Sequence, residues 1–413
     1  MNNPASPILP NLPLPEPLRG SDPDSFPQRT ITTRLPSIAR LTLGETAWPE
    51  PIHSRLQALI DEMPHGSLHS LEDDGGPDVA NWQDYMVPYL GQTWLEPPWF
   101  VVETYFFRRI LEATGYYKPG AGQGVDPYAP QKRQELTGVF AGMRGLCTQL
   151  EALDQSSNVE TQQIAKILIQ MLHINIWGNQ ADLSMWPGGS NQVPSRPQDD
   201  RLSERLLVDQ ASNAARYLAG LSAPSVDFIL DNSGQELAYD LGLADFLLTN
   251  RLAGRVRFQA KPHPTYVSDA TIQDVLDMIA FLESAPDSCV RALALRLRDH
   301  LESGCLVLVS DYFWTSPLSG WQMPPHLRQE LSQAALIISK GDANYRRWLG
   351  DRHWPHTTPI EDILVYRPAP LLALRVIKAN LIAGLQPGQS EAMDQKDPDW
   401  LHDGNWGVIQ FAY

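Results

Sequence analysis

VDFILDNSGQELAYDLGLADFLLTN, residues 226–250, sets the architecture of this chain. It opens with Val226, Phe228, Ile229 and Leu230, apolar and rich in β-formers, with Asp227 as the one interruption. Such a run suits a parallel strand covered on both faces, because neither side of the pleat is reserved for water. Asp231, Asn232, Ser233 and Gly234 follow, four turn-formers in succession. The helix after them is apolar on nearly every side (Leu237, Leu241, Leu243, Phe246, Leu247, Leu248), so it is expected to be packed all round. The side-chain oxygens of Asp231 and Asn232 therefore sit at the carboxyl end of a strand, where open α/β sheets bind ligands. A turn and a helix cap would use the same residues.

Outward from this unit the same texture repeats. Short apolar runs occur at 256–260 (VRFQA), 305–310 (CLVLVS) and 335–339 (ALIIS), and helical stretches fall at 236–250, 271–284 and 287–303. The alternation predicts βαβ units and a parallel sheet. LLALRVIKANLIAGL (371–385) and WGVIQF (406–411) read as further strands. Upstream the spacing is helical from Ile31 to about Leu221, most clearly in WFVVETYFFRRILEATGYY, where Gly115 ends the helix. Within that helix Glu103 is expected on a solvated face or in a pair with Arg108. The first 27 residues hold eight prolines and should be extended. These changes divide the chain into a proline-rich segment (1–30), a helical domain (31–222) and an α/β domain (223–413), with the polar loop 187–201 near the second boundary. Gly120, Gly122 and Gly124 follow a helix rather than a strand and so make no nucleotide fingerprint.

The balance of 32 basic against 48 acidic residues gives a net charge of −16. That field disfavours nucleic acid and anionic membranes as partners. Cys147, Cys289 and Cys305 are odd in number and unpatterned, which argues for a reducing compartment and against a disulfide framework or structural zinc. No run reaches the roughly 18 apolar residues of a membrane span, and the N-terminus lacks a secretory pattern. The cytoplasm is the expected location, with the nucleus as the alternative.

Each strand end offers chemistry. Asp231 and Asn232, with Glu236 one turn on, follow the first strand; Lys261 and then Asp269 follow the second; Lys340, Gly341, Asp342, Asn344, Tyr345 and Arg346 follow the fourth. Neighbouring strands would bring these ends to one rim. Asp231, Asn232 and Asp269 are hard oxygen donors of the kind that hold Mg²⁺ or Mn²⁺. Lys340, Arg346 and Lys378 could hold an anion. Each has a plainer reading: Asp269 as a helix N-cap, Arg346 and Arg347 in surface ion pairs, Lys378 reaching to water. Asp240 and Asp245 read as structural or exposed, and His263, His353 and His356 lack a metal-binding spacing.

The strings FILDNSGQEL, KPHPTYVSDAT, KGDANYRRWLGDRHWP, PLLALRVIKANLIAGLQPGQ and WGVIQF resemble the damage-control phosphatase family, in its acidic-residue-methyltransferase-like branch. LPEPLRGSDPDSF, PPWFVVETYFFRRI and IWGNQADLS extend the resemblance through the helical half. It implies an N-terminal helical domain on a Rossmann-like three-layer α/β/α domain with a mostly parallel sheet. It also implies a metal-dependent phosphatase acting on small phosphorylated metabolites such as fructose 1-phosphate and fructose 6-phosphate. Asp231, Asn232 and Asp269 would then bind Mn²⁺, with Ni²⁺, Co²⁺ or Mg²⁺ as alternatives. Glu236, the stretch Asp342–Arg346 and Lys378 would contact substrate, together with the metal-binding residues. The branch is marked by R-T-x-K; here Arg375 and Lys378 keep the charged ends and Val376 stands in place of Thr.

In that chemistry Lys378 and Arg346 would stabilise the phosphoryl charge, and either an ion-activated water or Asp231 would attack phosphorus. The sequence leaves both routes open. The competing reading is a protein-glutamate O-methyltransferase using S-adenosylmethionine.

Overall fold

The computed structural model describes residues 8–154, 161–178 and 203–413. Seven strands form one sheet: β1 (Leu206–Asp209), β2 (Ser225–Ile229), β3 (Arg255–Ala260), β4 (Leu306–Ser310), β5 (Leu336–Lys340), β6 (Leu371–Val376) and β7 (Gly407–Ala412). Their order is β1-β7-β6-β5-β2-β3-β4. Every neighbouring pair is parallel except β6 with β7. The chain runs outward from β2 to β3 and β4, then returns to the opposite side of β2 as β5. The gap between the carboxyl ends of β2 and β5 is therefore a topological switch point.

The period of two along each strand sends side chains alternately to two cores. Val226, Phe228, Ile338, Leu372 and Ile409 pack on one face, with helices Val139–Asp154, Thr161–Ile176 and Gly234–Thr249. Ile229, Ile337, Leu371 and Val408 pack on the other, among the aromatic residues of the N-terminal helices. The result is the expected three-layer α/β/α arrangement, with helices on both faces of a mostly parallel sheet. Helix Gly234–Thr249 is buried along nearly its whole length because other helices cover it from outside. Asp227, which interrupts the apolar run of β2, stays in the interior by taking Arg257 on both carboxylate oxygens, at 2.9 and 3.1 Å.

β1 precedes residue 223 and belongs to the same sheet as the strands after it. Its apolar run, Leu206 to Val208, is too short to stand out from helical surroundings. The polar loop 187–201 lies outside the described residues. The proline-rich segment is largely extended from residue 13 to residue 19, turns at residues 20–24, and enters a short helix at Phe26–Arg29. It is pinned by main-chain bonds from Leu18 N to Asp351 O (3.0 Å) and from Trp99 N to Leu18 O (2.7 Å). No helix among the described residues is long and apolar enough to cross a membrane, and no disulfide joins the three cysteines.

Helix Trp99–Thr114 corrects one expectation. All of it except Glu112 is buried, so Glu103 has no solvated face. Arg108 is not its partner: that guanidinium takes Asp74 at 2.7 Å and Asp78 at 3.0 Å. Glu103 instead accepts from Arg346 Nη1, across 243 residues of sequence, and Asp351 holds the other edge of the same guanidinium at 2.8 Å. Arg346 also stacks on Trp99, 3.5 Å from the ring centre. This buried triad ties the N-terminal helices to the α/β layers. Removing one member leaves charge without its partner in the interior, so Glu103→Ala should cost about 3 kcal/mol, read from urea unfolding. A loss below about 0.5 kcal/mol would mean that Asp351 alone satisfies the arginine.

Candidate active site

The switch point holds a narrow cavity of about 20 Å³, room for one water or one ion. Asp231, Asn232 and Glu236 line it from the β2 side; Gly341 and Asp342 from the β5 side; Val376 and Lys378 from the end of β6. Ile176 and Trp177 close it from the Thr161–Ile176 helix. The rest of the string IWGNQADLS, residues 179–184, lies outside the described residues.

Local backbone explains why these side chains meet. Residues 231–233 are clasped to residues 268–270: Ser233 N donates to Ser268 O at 2.6 Å, and Ala270 N to Asp231 O at 2.7 Å. Asn232 and Asp269 form an antiparallel bridge. Tyr266 and Val267, just before it, both have positive φ (48° and 70°). Left-handed backbone at two bulky residues costs energy and persists only where the surroundings fix it. Gly341, at φ 81°, lies so close to Asp231 that a β-carbon there would fall 1.9 Å from Oδ2. Only glycine permits that approach.

The electrostatics follow from burial. Asp231 is 7% exposed and Asp269 is 1% exposed. Burial, and then Asp269 and Glu236, push the Asp231 carboxyl well above its usual range; Lys261 and Lys378 oppose the rise. Burial lifts Asp269 to about 6 against the pull of Lys261, whose ammonium is 3.3 Å away. Asp269 Oδ2 is the oxygen that meets this ammonium. The Asn232 amide donates to Asp231 Oδ2 at 2.8 Å and to Glu236 Oε2 at 2.9 Å, while its oxygen accepts from Ser268 Oγ at 2.6 Å. Carboxylates crowded away from water are what a hard divalent cation would relieve. Among the described residues no group of three or more His, Cys, Asp or Glu side chains is placed to hold a metal ion, so an ion here would need Asn232 and further oxygens from outside the chain. Asp231, Asp269 and the Asn232 amide oxygen would thus leave positions for water or phosphate, as Mg²⁺ and Mn²⁺ sites do.

The structure gathers most of the expected residues but not all. Asp231, Asn232, Glu236, Asp342 and Lys378 share the cavity, and Asp269 adjoins it through the clasp. Asp269 is no helix cap: Thr271 takes that role, in a capping box with Asp274. Lys378 is exposed and makes no ion pair among the described residues. Ala343 is half-buried on helix Asp342–Leu349. Asn344, Tyr345 and Arg346 turn inward instead. Asn344 accepts from Lys261 at 3.1 Å, and Tyr345 donates to Gln410 at 2.9 Å. Arg346 is corrected as an anion clamp, because Glu103 and Asp351 occupy its guanidinium. Lys340 is buried too, held by Glu236 at 3.1 Å and Asp240 at 3.0 Å. Arg375 holds Asp342 at 2.7 Å. Burial works against ionisation of Asp342, yet Arg375 and Arg346 keep its carboxyl below the usual range.

Glu135 was not legible, and Gly341 was read only as a residue following the strand. Glu135 sits against Gly234, and burial, then the charge of Glu236, pushes its carboxyl up to about 7. It comes from a loop (QELTG) with no periodicity or motif to mark it. Gly341 could have been flagged, since a glycine between a strand and a helix often marks a close backbone approach.

Comparison with known proteins gives the family of the chain. A family model, the damage-control phosphatase ARMT1-like domain, matches residues 30–393. The damage-control phosphatase ARMT1 of Danio rerio is 34% identical, over 82% of this chain and 80% of that protein. That of Homo sapiens is 32% identical over 96% and 98%. A DUF89 family protein from Pyrococcus horikoshii superposes with a TM-score of 0.46 and 13% identity, over 94% of this chain and 98% of its own. The chain thus belongs to the damage-control phosphatase ARMT1-like family.

Proposed function

We propose that this protein is a metal-dependent phosphatase that hydrolyses sugar phosphates such as fructose 1-phosphate and fructose 6-phosphate, in metabolite damage control. One observation carries the reading: the loops that bear buried Asp231 and Asp269 are clasped together at the switch point, and exposed Lys378 lines the cavity with Asp231. The relatives' printed names agree with the phosphatase half of it.

Asp231, Asn232 and Asp269 would hold the cation, with Mn²⁺ as the first choice. The bound ion would supply Lewis-acid polarisation of a phosphoryl oxygen. The chain's own groups do the rest. Lys378 stabilises charge that develops on the phosphoryl oxygens, with little reorganisation because the cavity is already narrow. Glu236 is held by Lys340 on one oxygen and Asn232 on the other, so it is oriented toward the substrate's polar groups. Arg375 anchors Asp342 and, through bonds to the carbonyls of Ala379 and Leu381, the segment that presents Lys378. Val376 lines the cavity with methyl groups where the family motif has a hydroxyl.

Phosphate release from a sugar-phosphate panel, with Mn²⁺ or with EDTA, tests the reading: release should require the metal. Asp269→Ala should abolish metal-dependent release while circular dichroism remains native; unchanged turnover would remove Asp269 from the site. Lys378→Ala should lower kcat/KM by about 2–4 kcal/mol of transition-state stabilisation. Activity within about twofold of the parent would end its role as anion partner.

Proton and cation compete for Asp269. Its folded-state value of about 6 lies above the ordinary 3.8. The fold therefore favours the protonated side chain, a contribution complete below about pH 4 and lost as pH rises through about 6. The rise in unfolding midpoint on adding Mn²⁺ should be small at about pH 5 and grow through about pH 6 to a plateau. Equal increments at both ends would contradict cation binding there.

A further inference from the structure

A second cavity, of about 590 Å³, opens beside the Ser233–Gly234 turn. It is large enough for a small organic molecule. Two buried ammoniums line it: Lys132, 7% exposed, and Lys261, 2% exposed. Lys132 Nζ is held by Asp126 at 2.9 Å and Asp274 at 2.7 Å. Lys261 Nζ is held by Asn344 at 3.1 Å and Asp269 at 3.3 Å. An ammonium has three donors, so these partners leave each lysine one donor to spend.

The charge of the lining decides what could take those donors. Lys132, Lys261 and Arg133 are matched by Asp126, Asp274 and Asp277, three against three. A free phosphate or carboxylate would meet as much negative as positive charge, and a cation would fare no better. The remaining wall combines polar Gln273 and Ser310 with the apolar bodies of Leu136 and Met278 and the ring of Tyr116. Neutral hydroxyl groups both donate to carboxylates and accept from ammoniums, and the C–H face of a sugar packs on apolar and aromatic carbon.

We propose that this cavity binds a neutral polyhydroxylated molecule, a free sugar or sugar alcohol. The site is distinct from the narrow cavity at the switch point and does not rest on the phosphatase reading, although a free sugar is the product class of that reaction. Lys261 joins the two, since its ammonium also faces Asp269.

The test is calorimetric and ligand-observed NMR titration of the full chain with D-fructose and D-sorbitol, once with Mn²⁺ and once with EDTA. The expected result is saturable binding with Kd of about 1 mM, the strength usual for a ligand of that size. It should be equal in both buffers and not displaced by inorganic phosphate. Ala129→Trp, which fills the cavity, should abolish binding with the unfolding midpoint preserved. Asp277→Asn, at an exposed rim position, should weaken it about tenfold and serves if the tryptophan variant misfolds. The proposal is overturned by absence of saturable binding or by affinity unchanged in both variants. It is also overturned by displacement with phosphate, or by loss in EDTA, which would place the sugar at the switch point.

Discussion

Two carboxylates buried close enough to raise one another's protonation are the constraint on which the rest of the molecule depends. Asp231 and Asp269 come from loops after different strands, and a main-chain clasp locks those loops together. Nothing in the burial of like charges favours this arrangement; both side chains are driven toward their protonated forms. The fold holds them in place with backbone bonds, two left-handed residues before the second loop, and a glycine that admits the Asp231 carboxylate against the opposite strand end. Local strain and repulsion concentrated at one point of an otherwise well-packed core mark a functional site.

The scaffold around that point is stiff for identifiable reasons. Both faces of the sheet are covered, and the helix that starts at the site is enclosed by a further layer of helices. On the opposite face Arg346 is gripped by Glu103 and Asp351 and stacked on Trp99. That arginine thus fixes the helix Asp342–Leu349 to the N-terminal helices, and Asp342 at the start of that helix is set at the cavity wall. A residue whose charge suggested ligand binding instead positions one that lines the site. Lys340 does similar work, holding Glu236 from within the core. Among the described residues the cation left facing the cavity is Lys378, two residues beyond the end of β6.

The strands from β2 onward were legible because their apolar runs are continuous and bounded by turn residues, as VDFIL and LIIS illustrate. The oxygen donors were legible because the carboxyl ends of neighbouring parallel strands must share a rim. β1 was not, since three apolar residues carry no period. The fate of each charge was less legible than its place in the chain. Arg346, Lys340 and Lys378 look alike in sequence, and only long-range partners such as Glu103 and Asp240 decide which are consumed by the core. Glu135 and the matched charges around Lys132 lie on segments without local signal, so their convergence on the site is visible only in three dimensions.

The central claim is that the clasped loop ends hold one divalent cation. Anomalous scattering from crystals soaked in Mn²⁺ tests it most directly. The account predicts a single strong peak bounded by the carboxylates of Asp231 and Asp269 and the side-chain oxygen of Asn232. Manganese bound elsewhere, with the loops of Asp231 and Asp269 still clasped and no peak beside either carboxylate, would contradict it.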